Sequence, residues 1–230
     1  LMQFMKGPDF PTGGVILGRR GIIEGDDSGR GRVTVRGGVR TEESGGPPTL
    51  VAERSGELAG GLSVAPDRIF AISLRFSGDM LTDDEIWSMP KAGGVRSSIA
   101  IDKHIYGVTH DATNVYWASM TSVMKSSHDG GAVGALGPTT GMVEALAVGA
   151  SHVYYVGSDH QEPGTLWRVP ISGGPRELFY QGERLSQLAV AAGLVYTLEW
   201  TSGINTPPER LVTIDEATRA CDDIQTMIEM

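Results

Sequence analysis

Four stretches of the chain share one pattern of apolar and polar positions: Leu62–Ile72, Val108–Trp117, Leu146–Val156 and Leu188–Leu198. Each begins with a short apolar run and passes through a polar turn. Each then enters a run rich in aromatic and β-branched residues, such as Val153-Tyr154-Tyr155-Val156. Alternation of this kind on either side of a turn predicts an antiparallel hairpin. Runs with apolar residues every three or four positions, the mark of a helix, are scarce.

A second phrase follows each hairpin: Asp84–Gly94, Thr121–Gly131, Gly164–Gly174 and a weaker copy, Glu209–Thr218. It reads as a third strand, closed in the first three copies by a Gly-Gly pair that supplies positive φ at the turn. A further strand comes next, as in Arg176–Tyr180. The repeating unit is therefore four strands. Its anchor residues Ile69, Val115, Val153 and Val195 lie 46, 38 and 42 positions apart, and a four-stranded blade needs roughly 40–50 residues. Variation falls between the second and third strands, where Arg75–Asp83 and Thr201–Pro208 are expected to be inserted loops. A β-sandwich also has many short strands, but it does not require one phrase to return at a fixed period.

These units resemble the degenerate Val-Tyr-Trp and Val-Pro-…-Gly-Gly repeats of bacterial β-propeller proteins, and the resemblance covers most of the chain. The expected fold is all-β: about four four-stranded β-propeller blades in residues 44–230, in a ring that need not be complete. Closed propellers have about four to eight blades, so an incomplete ring would leave an unpaired edge. Gly45–Val51 matches Gly173–Phe179, so Ser44–Gly61 is expected to be the last strand of a blade whose other strands are missing or replaced. Trp87 and Trp167 recur at one blade position, where Met124 stands in the second unit. Recurrence there predicts packing between blades.

Residues 1–43 stand outside the repeat and form a separate expected domain. They contain Gly7-Pro-Asp-Phe-Pro-Thr-Gly-Gly14, Gly18-Arg-Arg-Gly-Ile22 and Gly29-Arg-Gly-Arg-Val-Thr-Val-Arg36. The turns at Gly13-Gly14 and Gly18 bracket a short strand, Val15–Leu17. Arg32–Arg36 alternates like a half-buried strand. This segment resembles the A subunit of bacterial type IIA DNA topoisomerases, the gyrase and topoisomerase IV group, which are ATP-hydrolysing enzymes. It departs from their pattern at Asp26-Asp27-Ser28. The resemblance implies DNA phosphate contacts by Lys6, Arg19, Arg20, Arg30 and Arg32; as plain chemistry the same residues are solvated strand edges. That family cuts DNA with a tyrosine that follows an arginine. None of the six tyrosines here does so; no catalytic residue carries over, and no DNA cleavage by this chain alone is expected. The exposed edge at Gly45–Val51 is expected to pair with Arg32–Arg36, with Leu1–Arg30 opening more easily than the blades.

Charge sharpens this division. Residues 1–43 carry seven basic and six acidic side chains, the remainder 12 basic and 22 acidic, out of a total of −9. An acidic surface repels phosphate, so DNA is a partner of the N-terminal segment if of any. Cys221 is the only cysteine, which precludes an internal disulfide. No apolar run reaches the roughly 18–20 residues of a membrane span. The first ten residues lack the basic-then-apolar pattern of a signal peptide, and the first residue is Leu rather than Met. The expectation is a fragment or a processed chain, cytoplasmic if the topoisomerase-like start is its native context and exported if the propeller is.

Candidate chemistry is sparse, and no cofactor or metal is expected. His104 and His110 flank a strand, and His128, His152 and His160 are expected in turns, without the spacing of a zinc site. Asp159–Glu162 offers at most a loose cation site, and Asp83-Asp84-Glu85 reads as a solvated charge cluster. No phosphate-binding loop or nucleophile elbow is present. Two functions fit: a non-enzymatic propeller that takes an unknown protein or small ligand on its loop face, or a piece of the topoisomerase A chain that serves in DNA binding and topology change.

Overall fold

The structure, a computed structural model, describes all residues outside 1–14, 17–21, 26–30, 35–38, 41–48, 51–56, 78–79, 140, 158–163, 201–208 and 225–230; for strand residues before Gly61 and for 75–77, 80–82, 209 and 223–224 it describes the backbone alone. The chain divides into two compact units, Leu1–Ala59 and Gly60–Met230. No helix occurs among the described residues.

The first unit holds β1 (Val15–Ile16), β2 (Ile22–Gly25), β3 (Gly31–Thr34), β4 (Val39–Arg40) and β5 (Thr49–Leu50). They form a β2–β3 hairpin and a separate β1–β4–β5 sheet. The pairing expected between Gly45–Val51 and Arg32–Arg36 does not occur among the described residues. β5 pairs instead with β4, Val39 opposite Leu50, while β3 pairs with β2, Ile23 opposite Val33. The local hairpin closes a shorter loop, which costs less entropy than reaching β5. Lys6, Arg19, Arg20 and Arg30 lie outside the described residues, as does the side chain of Arg32.

The second unit is a row of four four-stranded antiparallel sheets, each in simple sequence order. Blade 1 is β6 (Glu57–Val64), β7 (Arg68–Ser77), β8 (Met80–Pro90) and β9 (Ser97–Asp102). Blade 2 is β10 (Gly107–His110), β11 (Asn114–Ala118), β12 (Ser122–Ser127) and β13 (Gly134–Pro138). Blade 3 is β14 (Val143–Val148), β15 (His152–Gly157), β16 (Thr165–Pro170) and β17 (Glu177–Gln181). Blade 4 is β18 (Leu185–Ala191), β19 (Leu194–Trp200), β20 (Glu209–Asp215) and β21 (Cys221–Ile224). The anchors Ile69, Val115, Val153 and Val195 all fall on second strands, opposite Met89, Ser126, Val169 and Ile214 of the third. The repeat is thus one of structure as well as of sequence.

The Gly-Gly pairs end the third strands as expected. The Gly93, Gly130 and Gly173 amides donate to the carbonyls of Pro90, Ser127 and Pro170, at 2.9, 3.1 and 2.9 Å, with φ of 93°, 81° and 86°. In blade 4 the turn is one residue longer. The Arg219 amide donates to Asp215, and Arg219 itself takes φ of 60°, a left-handed conformation that glycine would accept more readily. This explains why the fourth copy of the phrase looks degenerate.

Because side chains alternate along a strand, each second strand feeds two seams. Val115 and Trp117 pack back onto Phe70, Ile72 and Ile86 of blade 1. Tyr116 and Ala118 pack forward onto Val153 and Tyr155 of blade 3. In turn, Tyr154 and Val156 pack forward onto Val195, Val212 and Ile214 of blade 4. Three apolar clusters therefore sit between consecutive blades, and the first strands of blades 2, 3 and 4 lie side by side. Met124 packs against the first seam and Trp167 against the second, with the Arg176 guanidinium 4.5 Å from the Trp167 ring centre. Trp87 is buried, donates its indole N–H to Ser73 at 2.8 Å, and carries Arg96 at 4.8 Å from its ring.

Two expectations are corrected here. Most of Arg75–Asp83 is strand, not loop: β7 and β8 continue the hairpin, with Phe76 opposite Leu81 and Ser77 opposite Met80. The alternation Leu74-Arg75-Phe76-Ser77 already has the strand period. Nor is Asp83-Asp84-Glu85 a solvated cluster. Asp84 and Glu85 are buried and Asp83 half-buried; Glu85 forms an ion pair with Arg96, and Asp84 accepts the Ile105 amide at 2.8 Å. Side chains alternate along a strand, so Asp84 lies on the face of β8 that carries Ile86 into the seam with blade 2, and Glu85 lies on the opposite face with Trp87 and Arg96. Thr201–Pro208 lies outside the described residues.

Candidate partner-binding face

Antiparallel order gives the blades two ends. At the turn end, first strands pass to second and third to fourth. At the connection end, second strands pass to third and each blade passes to the next. The connection end is held by one polar residue at each seam. Between blades 1 and 2 it is Asp84, whose Oδ2 takes the Ile105 amide while its Oδ1 is buried without a hydrogen-bond partner. Burial pushes the Asp84 carboxyl above its usual range.

Between blades 2 and 3 it is Thr139. Its hydroxyl donates to the carbonyls of Ser119 (3.2 Å) and Met120 (2.9 Å), and its amide donates to Thr121 at 3.0 Å. Its own carbonyl accepts from Arg176 at 2.7 Å, and the neighbouring Pro138 carbonyl accepts from the Tyr155 hydroxyl at 3.1 Å. A single buried threonine thus fastens the turn Ser119–Thr121 to the connection leading into blade 3.

Between blades 3 and 4 it is Glu199, buried on β19. Its Oε2 accepts from the Tyr180 hydroxyl and the Arg210 guanidinium, each at 2.9 Å, and its Oε1 accepts the Glu183 amide at 2.8 Å. Burial acts to raise the Glu199 pKa, but the Glu183 amide, Tyr180 and Arg210 outweigh it and hold the carboxyl below its usual range. The Tyr180 hydroxyl is pushed up, by burial and by this carboxylate.

Among the described residues on this frame, Met120 (50% exposed), Met142 (46%) and Trp200 (39%) are large apolar side chains open to solvent, as is Ile101 near the end of β9. Methionine is adaptable at contact surfaces, and tryptophan is enriched among the hot spots of protein interfaces. The Trp200 indole N–H donates to Ser186 at 2.9 Å, which fixes the ring's direction. These residues carry no catalytic signature, and so gave no motif in the sequence. The signal for them is negative: Met120 and Met142 are apolar residues between strands, and Trp200 is the last residue of β19, where the strand pattern requires none of them.

The turn end is built differently. A cavity of about 240 Å³ opens there beside Asp67, Arg68, Met89, Pro90, Val95 and Asp129. Its charges are matched internally, Arg68 pairing with Asp129 at 2.8 Å and with Asp67 at 3.4 Å. The histidines do not assemble into a metal centre: no group of three or more potential ligands occurs among the described residues. His128 lies in a turn as expected, but His152 begins β15 rather than sitting in a turn. His160, like the whole of Asp159–Glu162, lies outside the described residues. The structure does bring His110 and His128 together, 6.0 Å apart between ring centres. No helix among the described residues is long and apolar enough to cross a membrane.

No protein-family model matches this chain. Among curated proteins it is similar to the DNA gyrase A chain of Campylobacter jejuni, 51% identical over 53 residues, which are 23% of this chain and 6% of that protein. The DNA gyrase A chain of Helicobacter pylori is 49% identical over 53 residues, again 23% of this chain and 6% of that one. The chain thus spans about 6% of the length of these relatives. The gyrase likeness read from residues 1–43 holds at that extent. Among solved structures, the blades resemble the nidogen/laminin complex, with TM-score 0.62 and 16% identity over 81% of this chain and 71% of that one. TolB from Acinetobacter baumannii follows at TM-score 0.58 and 14% identity, over 81% of this chain and 48% of that one. Both are β-propeller proteins, and at such identities the likeness is one of fold.

Proposed function

We propose that the chain is a β-propeller interaction module that presents its connection end to a protein partner through Met120, Met142 and Trp200. The observation that carries this reading is the contrast between frame and surface. Thr139 and Glu199 lock the backbone at this end, while the side chains they present are apolar and exposed. Preorganisation lowers the ordering cost of binding, and a rigid apolar centre is what interface hot spots require. The test is recovery of bound protein by the wild-type chain, by M120D/M142D and by V95D, since Val95 is 84% exposed at the opposite end. A partner kept by V95D and lost by M120D/M142D supports the reading. Equal retention by both variants overturns it.

A second reading rests on the gyrase A likeness of about 50% identity: the N-terminal segment touches DNA phosphate through Lys6, Arg19, Arg20, Arg30 and Arg32. Duplex binding would then be weak and steeply salt-dependent. Replacing the five residues by Ala should flatten the plot of log affinity against log salt. An unchanged slope would assign any DNA binding to another surface.

A further inference from the structure

The seam between blades 1 and 2 departs from the other two at its turn end. At every seam an aromatic ring from the second strand, the residue after the anchor, is capped by two residues of the next blade. One cap lies opposite the next anchor on the first strand: His110, Val148 and Val190, opposite Val115, Val153 and Val195. The other follows the third strand and donates its amide to the first turn: His128 to Thr113, Ile171 to Ser151 and Glu216 to Gly193. Val148 and Ile171 accordingly pack against the cluster that holds Tyr116, and Val190 against the one that holds Tyr154, whose hydroxyl donates to Glu216 at 3.0 Å. Phe70 is capped by two imidazoles instead. His128 lies 4.8 Å and His110 5.5 Å from it between ring centres.

We propose that this seam is a pH-sensitive joint, in which His110 and His128 clamp Phe70 between blades 1 and 2 and protonation of His110 loosens it. As neutral rings the two stand in for the valine and isoleucine of the next seam. The His128 Nε2–H faces the Asn114 carbonyl at 3.2 Å, and His110 Nδ1 meets the Ser63 hydroxyl of β6 at 2.7 Å. Protonation of His110 places a positive charge against the Phe70 ring, about 6.0 Å from the centre of the His128 ring.

The surrounding charges do not absorb it. Arg68 adds a second cation, donating to the His128 carbonyl at 3.0 Å. Asp67 and Asp129, the nearest acids of the flanking turns, are both engaged by Arg68. Asp111, next to His110, already accepts the amides of Thr113 and Asn114 and the Tyr116 hydroxyl, at 2.7, 2.7 and 2.6 Å. Consistent with this, burial and then the neighbouring His128 hold the His110 pKa below its ordinary 6.5. A histidine whose pKa is depressed on folding binds fewer protons than in the unfolded chain. Its contribution to stability is therefore complete above 6.5 and is lost as pH falls through the folded value.

The test is hydrogen exchange of the full chain at about pH 7.5 and about pH 5, corrected for intrinsic rates, a window in which histidine alone among unperturbed side chains titrates; the non-titrating histidine variants separate it from Asp84, whose carboxyl burial raises at the connection end of this seam. The opening constant of peptides covering β7 and β10–β12 should rise severalfold at the lower pH, as the contribution of neutral His110 is lost. Peptides covering β15 and β19 should change less. H110V/H128I, which installs the residues of the next seam, should abolish the difference. If that variant does not fold, H110Q/H128Q serves, because neither glutamine can be protonated. The joint is refuted if the rise persists in a folded non-titrating variant, if it is absent from the wild type, or if it is equal at both seams. Proton NMR of the His110 ring adds a separate readout, and a midpoint at or above the ordinary imidazole value also refutes it.

Discussion

Trp117→Ala should destabilise the propeller unit by about 3–5 kcal/mol, the range for a large aromatic removed from a packed core. The indole is fully buried between blades 1 and 2, among Phe70, Ile72, Ile86, Val108 and Val115. Its N–H contributes little, since the nearest acceptor, Asp102, is 3.5 Å away; the loss is one of packing and of the cavity left behind. Domains are typically stable by only about 5–15 kcal/mol, so this one change removes a large part of the margin. Stacked repeats couple chiefly to their neighbours, and Trp117 reaches no residue of the cluster between blades 3 and 4. Urea denaturation measures the total, and hydrogen exchange should show protection lost in β7 and β11 before β15 and β19. A loss below about 1 kcal/mol, the scale of a surface change, would mean that the seam is not the packed interface described. Val95→Ala, at an exposed turn, is the matched control.

What the sequence made legible follows from where the information lies. The anchors and the Gly-Gly turns are local: period-two alternation and positive φ are needed within one hairpin, and both recur. Seam chemistry is not local. His110 and His128 are 18 positions apart and look unrelated until the blade is built. Set against the other repeats, they occupy places held elsewhere by Val148, Val190 and Ile171, and that substitution is the signal a strand-by-strand reading passes over. Asp84 and Glu85 misled for the opposite reason. Three consecutive acids read as solvated, yet a central strand has neighbours on both sides, and its acids must find donors such as the Ile105 amide and Arg96. The exposed methionines at the connection end were not legible at all, because an apolar residue in a turn matches no chemical motif.

The blades also divide their labour along their length. Apolar residues in mid-strand carry the seams, and the polar residues that break the pattern collect at the two ends. At the turn end they are the two imidazoles that cap Phe70, His110 and His128. At the connection end they are Asp84, Thr139 and Glu199, which bind backbone amides or carbonyls. The first arrangement suits a joint and the second suits a platform. Loosening the first seam would leave the Thr139 and Glu199 locks, and so the proposed partner-binding residues on them, in place.

Glu199→Ala should cost about 3 kcal/mol, toward the lower end for breaking a buried ion pair. Glu199 aligns with Ser73, Ser119 and Gly157 in the other blades, so the carboxylate is peculiar to this seam. Removing it leaves the Tyr180 hydroxyl, the Glu183 amide and Arg210 without this acceptor. The Arg210 side chain is 38% exposed and can turn to water, which limits the loss. Tyr180 and the amide cannot turn as freely, and an unmet buried donor costs about 1–3 kcal/mol. Glu199→Gln keeps one acceptor oxygen and should lose less than the alanine variant. The pH dependence separates the charge from the shape. The folded pKa is depressed below its ordinary 4.5, so the carboxylate's contribution is fully present above that value and is lost as pH falls through the folded one. Urea midpoints measured from neutrality down to about pH 3 should therefore converge for the wild type and Glu199→Gln at the acid end. A constant gap between them across that range would show that Glu199 acts by filling space, not by its charge.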